Sequence, residues 1–255
     1  MTHHRWTTVW ALAVTLFVAT FAYAAGSDDE NDEPPDDRDR PLDAGIYGAV
    51  AYMPIFQDTQ RLAAKLPASP PFATYTPALD FELHFFGRSS AILGVSGGMW
   101  KTQSKDDLMD TDLSGWDIQL DVGTPVAEYR LGTVSVLVGL GYAQNHLRFE
   151  GDFAALKNGD EHLPSGDDAA DLYQRGFVYD VALRTDFRDP FLAGERGAGL
   201  VVSGFSMGYK SVPWSTKWMR GGDEIANLPY VAEHMLFARL HVGLGGGAYL
   251  RSGEE

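Results

Sequence analysis

The chain has 255 residues with 28 glycines, 12% aromatics and no cysteine, which excludes a disulfide framework, a thiolate nucleophile and any cysteine metal site. Thirty-five acidic residues against 20 basic ones leave a net charge of −15. That balance argues against a nucleic-acid partner, whose phosphates are bound by neutralisation with Lys and Arg.

Residues 1–24 read as a secretory signal. Arg5 sits in a short leading region, an apolar core runs from Val9 to Ala19, and Ala22-Tyr23-Ala24 supplies the small-residue pattern before a cut after Ala24. The alternative is an uncleaved helical anchor, since Trp6 to Ala25 is long enough to cross a hydrocarbon layer of about 30 Å. Residues 25–43 form an acidic linker. Its core, Ser27 to Arg40, carries eight carboxylates and two arginines with no apolar residue, so it has nothing to bury and is expected to be a disordered tether.

The remaining domain, 44–255, reads as eight strands, because residues alternate in character with a period of two. The first is Gly45–Phe56. In the second, Ala78–Phe86, Leu79, Phe81, Leu83 and Phe85 alternate with Asp80, Glu82 and His84. In the third, Ala91–Lys101, Leu93, Val95 and Met99 alternate with Ile92, Gly94, Ser96 and Gly98. The fourth, Gly115–Arg130, sets Trp116, Ile118, Leu120 and Val122 against Asp117, Gln119, Asp121 and Gly123. The fifth, Thr133–Glu150, places Val134, Val136, Val138, Leu140 and Tyr142 on one face and small or polar residues on the other. The sixth, Gly176–Phe187, opposes Phe177, Tyr179, Val181 and Leu183 to Asp180, Ala182, Arg184 and Asp186. The seventh, Ala198–Val212, opposes Val201, Phe205, Met207 and Tyr209 to Gly204, Ser206 and Gly208. The eighth, Ala232–Leu250, opposes Leu236, Leu240, Val242 and Leu244 to Arg239, His241 and three glycines.

Such a pattern suits either a soluble barrel with an apolar interior or a membrane barrel turned inside out. Two features favour the second. Glycine recurs among the polar residues, where a solvent-facing strand gains nothing from it but a narrow lumen needs small side chains. Short or moderate connections at 87–90, 131–132 and 188–197 alternate with long ones at 57–77, 102–113, 151–175 and 213–231, so every long loop is expected at one end. Tyr52, Phe56, Trp100, Trp116, Tyr142, Tyr209 and Trp214 gather near the long loops, and Tyr129, Phe187, Phe191 and Tyr249 near the short turns, as two interfacial girdles would.

With its leading signal, eight alternating strands and one-sided loops, the chain resembles the small eight-stranded outer-membrane barrels of Gram-negative bacteria, of the OmpA-like transmembrane-domain type, over about residues 44–250. The resemblance implies short periplasmic turns, long extracellular loops and a monomer in the cell outer membrane. It also implies contact with membrane lipid, lipopolysaccharide and the outer-membrane assembly machinery. Such barrels usually finish on an aromatic residue. Here Tyr249 is followed by LRSGEE, a departure that implies either insertion by other than the usual route or an internal assembly signal.

In that frame Asp80, Glu82, His84, Asp117, Asp121, Asp180, Arg184, Asp186, Arg239 and His241 form a charge network in the lumen. Eight strands leave room only for side chains, which points to a structural or surface-interaction protein with a plugged lumen. No cofactor is expected beyond a loosely bound divalent cation at Asp110, Asp112 and Ser114, whose spacing is similar to an oxygen-ligand calcium loop but lacks its flanking helices. Two other functions stay open. One is a secreted lipocalin-like carrier of an apolar ligand. The other is a lipid A-modifying barrel enzyme, whose deacylase form resembles a His-x-Ser arrangement. Here His241 is followed two residues on by Gly243 and His234 by Leu236, so no nucleophile stands at that spacing.

Overall fold

The structure is a computed structural model that describes residues 42–57, 75–87, 91–105, 109–129, 132–151, 170–194, 197–225 and 234–249. The expected signal, 1–24, and nearly all of the acidic linker lie outside the described residues. Ten strands form among those described: β1 (Ala44–Gln57), β2 (Tyr75–Phe86), β3 (Ile92–Lys105), β4 (Met109–Tyr129), β5 (Gly132–Gly151), β6 (Ala170–Gly194), β7 (Gly197–Ser215), β8 (Trp218–Arg220), β9 (Asp223–Ile225) and β10 (His234–Ala248). From β1 to β7 each strand pairs antiparallel with the next, and β10 pairs with β7. The other edge of β10 returns to β1, from Ala44↔Ala248 to Gln57↔Met235. That last ladder closes the sheet, so β1 to β7 and β10 make an eight-stranded up-and-down barrel with no free edge. The short hairpin β8–β9 attaches to β6 through Tyr173↔Met219 and turns on Gly221 and Gly222, both at positive φ (58° and 111°), as a two-residue hairpin turn requires.

The two faces of this sheet are inverted relative to a soluble protein. Leu79, Phe81, Leu83, Phe85, Leu93, Ile118, Leu120, Val122, Leu140, Val181, Leu240, Val242 and Leu244 point outward and are exposed, Leu120 and Leu244 to 65%. The ten charged residues expected in the lumen are all buried there. A belt of large apolar side chains around the whole circumference has no stable place in water and matches the acyl-chain region of a bilayer. The interior is also wrong for a soluble carrier, because the space in which an apolar ligand would lodge is filled by carboxylates and guanidiniums.

Several strands run further than the change in hydropathy suggests. Residues 102–113, expected as a loop, are strand except for 106–108, which lie outside the described residues. Thr102, Ser104, Thr111 and Leu113 continue inward while Lys101, Lys105, Asp110 and Asp112 continue outward. Likewise β6 begins at Ala170 and continues to Gly194, and β7 runs on to Ser215. The physical reason is that strands beyond the girdle meet water on their outer face, so the outward residues turn polar while the ladder goes on. The girdle itself is marked by Trp116 against Tyr142 (5.8 Å between ring centres) and Tyr179 against Tyr209 (6.4 Å) on the long-loop side, and by Tyr129 against Phe187 (5.7 Å) on the short-turn side. Trp100 stands at the right height but on the opposite face: it is buried inside the barrel, lying over Gly115.

The lumen is layered. Towards the long loops it is filled by Met53, Ile55, Trp100, Leu113, Leu147, Phe149, Leu172, Val212, Phe237 and Trp218, the last delivered by the β8–β9 hairpin. Towards the short turns Tyr47, Ala49, Phe86, Leu200 and Val202 pack together with Leu42. The charged residues lie between these two ends, beside the members of the first cluster that continue along β3, β5 and β6: Ile92, Leu137, Ala143, Val178 and Ala182.

Candidate functional site in the barrel lumen

Glu82 is the centre of the charged layer. It projects inward from β2 and receives Nη1 of Arg184 (β6) on Oε2 and Nη1 of Arg239 (β10) on Oε1, each at 2.8 Å, with all three side chains essentially inaccessible. Each guanidinium then reaches a second carboxylate. Arg184 Nε donates to Asp186 Oδ1 at 2.9 Å, and Arg239 Nη2 lies 2.7 Å from Asp80 Oδ2. His241 Nε2 shares the same Asp186 oxygen at 2.8 Å. Tyr47 on β1 accepts Arg184 Nη2 at 3.1 Å and lies 3.2 Å from His84 Nδ1, whose Nε2 in turn is 2.9 Å from Asp121 Oδ2. The structure therefore joins Asp80, Glu82, His84, Asp121, Arg184, Asp186, Arg239 and His241 in one web spanning β1, β2, β4, β6 and β10. Buried charges demand such partners, because an unpaired one would cost several kcal/mol in desolvation.

Asp117 belongs to a separate group. Its carboxylate accepts Lys210 Nζ on both oxygens, at 3.0 and 2.9 Å, and Gln119 Nε2 at 2.9 Å. Asp180 accepts the backbone N–H of Gly139 at 3.0 Å. Lys210 and Tyr47 are the members that the sequence reading missed. Lys210 continues the inward series Gly204, Ser206, Gly208 two residues before the expected strand end. Tyr47 alternates correctly but looks like one more aromatic.

Two of the inward glycines fall where charged pairs form across a strand. Gly94 on β3 is register partner to both His84 and Asp121, whose side chains meet above it. Gly204 on β7 stands in the same relation to Asp186 and His241. A methyl group at either position would collide with the imidazole of the pair. Glycine thus lets residues two strands apart close over the strand between them, a specific use of small residues in a narrow barrel.

Asp110, Asp112 and Ser114 lie on the outer face of β4, not in a loop. Asp110 pairs with Lys105 at 3.1 Å and Asp112 with Lys101 at 3.0 Å, so both carboxylates are met by lysines of β3. Among the described residues no group of three or more His, Asp or Glu side chains is arranged to hold a metal ion. Beside Ser114, across the β4–β5 ladder, is His146. Its ring is turned the other way, bonded to Asp171 at 2.8 Å and stacked on Tyr173 at 4.5 Å, both on β6.

No family model matches the chain, and no curated protein matches its sequence. Solved structures do. The attachment invasion locus protein Ail of Yersinia pestis aligns at 12% identity over 82% of this chain and 99% of its own, with a TM-score of 0.38. Neisserial surface protein A (NspA) aligns at 9% identity over 81% and 97%, with a TM-score of 0.37. The outer membrane protease OmpT from Escherichia coli aligns at 7% identity over 81% and 96%, with a TM-score of 0.32. The chain is similar to these proteins, and its own architecture, a closed eight-stranded antiparallel barrel, stands on the strand register described above.

Proposed function

We propose that the chain is an outer-membrane barrel protein with a structural or surface-interaction role and a lumen closed to solutes. The observation that carries the reading is the inversion of the sheet: large apolar side chains face out around the barrel while six carboxylates, two arginines and a lysine are sealed within it. Apolar plugs above and below the charged layer favour a closed barrel over a pore, since an open channel would need a polar, wetted path along its axis.

In this reading the barrel end marked by Phe86, Ile92, Tyr129 and Gly132 faces the periplasm, and the end marked by Gln57, Lys105, Gly151 and Ser215 faces outward. The barrel is a monomer bounded by membrane lipid and lipopolysaccharide, and it is inserted by the outer-membrane assembly machinery. The test is to fractionate cells expressing the full chain, compare boiled and unboiled samples on a detergent gel, and record planar-bilayer conductance. Recovery in the outer membrane with heat-modifiable mobility and no stepwise conductance is expected. A freely soluble product, or discrete open-channel steps, would overturn the proposal.

A further inference from the structure

Among the described residues, six buried carboxylates of the lumen, Asp80, Glu82, Asp117, Asp121, Asp180 and Asp186, face three buried permanent cations, Arg184, Lys210 and Arg239, with the less buried Arg188 3.9 Å from Asp186. The deficit is local. Glu82, Asp186, Asp80 and Asp117 each touch a guanidinium or ammonium group. Asp121 and Asp180, by contrast, touch no guanidinium or ammonium group: their direct contacts are the His84 imidazole on Asp121 Oδ2 and the Gly139 N–H on Asp180 Oδ1, and Lys210 and Arg239 act on Asp180 only from a distance.

Two unpartnered oxygens converge with Asp180 Oδ1. The inward position over Gly139, where a Cβ would stand, is 2.7 Å from Asp180 Oδ1, 2.7 Å from Gln119 Oε1 and 3.0 Å from Asp121 Oδ1. The amide of Gln119 is oriented by its other end, which donates to Asp117, so Oε1 is the atom aimed into this cradle. Neither Gln119 Oε1 nor Asp121 Oδ1 has a hydrogen-bond partner, although the two residues are only 2% and 1% exposed. Buried acceptor oxygens facing one another without a donor repel, and the arrangement is favourable only with a positive charge among them.

We propose that Asp121, Asp180 and Gln119 hold one hard metal cation of the Ca²⁺ class inside the barrel, in the space that Gly139 leaves open. Two carboxylates and a carboxamide oxygen are hard donors of the kind Ca²⁺ takes. No sulfur takes part, and the nearby imidazole of His84 is used to orient Asp121 from behind, so the donor set disfavours softer metals. Such an ion would tie β4 to β6 across β5. Because apolar plugs close both ends, it would enter during folding and exchange slowly afterwards.

The experiment refolds the full chain from urea into detergent with Ca²⁺, with Mg²⁺, with Na⁺ alone, or with a chelator. It then measures retained metal by mass spectrometry after dialysis and follows thermal unfolding by gel mobility. One Ca²⁺ per chain is expected, with a higher unfolding temperature than in chelator. Gly139→Ala should abolish retention by filling the cradle. Since that variant can fail to fold, Asp180→Asn carries the test: it keeps an oxygen for the Gly139 N–H, and it should lose at least tenfold in Ca²⁺ affinity while becoming insensitive to chelator. Wild-type protein that retains no Ca²⁺, that takes Na⁺ equally well, or that binds no more tightly than Asp180→Asn would overturn the proposal. So would unfolding that follows pH but not metal, which would mean that a shared proton fills the gap.

Discussion

Glu82→Gln is the most informative single perturbation of this barrel. The substitution preserves shape and one acceptor oxygen but removes the negative charge that two buried guanidiniums share at 2.8 Å. A hydrogen bond to a charged group contributes about 1.5–3 kcal/mol, and removing one partner of a buried ion pair costs about 3–5 kcal/mol because the other charge is left uncompensated. Here Arg184 keeps Asp186 and Arg239 keeps Asp80, which holds the expected loss near the lower bound, about 3 kcal/mol. The measurement is urea unfolding in lipid vesicles followed by tryptophan fluorescence and heat-modifiable mobility, with the denaturant slope checked for constancy. Asp112→Asn is the internal control. Its pair with Lys101, at 3.0 Å, is nearly as short but open to water, so about 0–1 kcal/mol is expected. A double-mutant cycle with Arg239→Met should return a coupling of about 1–3 kcal/mol. If Glu82→Gln costs no more than Asp112→Asn, the lumen web does not hold the barrel together and the reasoning fails.

Three further expectations follow from the same geometry. Leu120→Arg, at a position 65% exposed, would be nearly neutral on a soluble protein but should cost about 2–4 kcal/mol in vesicles if that face meets acyl chains, as read from unfolding titrations. Gly94→Ala drives a methyl into the imidazole of His84 and the carbonyl of Leu83 and should cost about 1–3 kcal/mol, whereas Gly48→Ala, whose methyl meets its nearest neighbour at 3.8 Å, should be close to neutral; thermal unfolding by gel shift compares them directly. Trp218→Ala removes a fully buried indole from the outer plug and should lower stability by about 3–5 kcal/mol; an unchanged unfolding curve would deny that the β8–β9 hairpin closes the lumen.

Much of the barrel is legible in single strands. Leu79 to Phe86 already separates Leu79, Phe81, Leu83 and Phe85 from Asp80, Glu82 and His84, and the structure puts the first set outside and the second inside. Legibility fails wherever a residue's neighbours change without its strand changing. Thr102 to Lys105 and Asp110 to Leu113 read as loop because polar residues fall on both faces, yet they are paired from Thr102↔Leu113 to Lys105↔Asp110. Trp100 reads as girdle by height and proves to be core by parity. Lys210 continues the inward parity of Gly204, Ser206 and Gly208 inside the expected strand, but its partner Asp117 lies 93 residues away and only barrel closure brings the two together.

What the amino-acid order determined by itself is which side chains share a face, since a strand's period of two is a local property of the backbone. What it could not determine is who meets whom. Glu82 finds Arg184 and Arg239 from 102 and 157 residues away, and Asp121 faces Asp180 only because the intervening residue on β5 is Gly139. Those encounters depend on register and closure, which are set by all eight strands at once, and so the charge web and the oxygen cradle beside it belong to the tertiary structure alone.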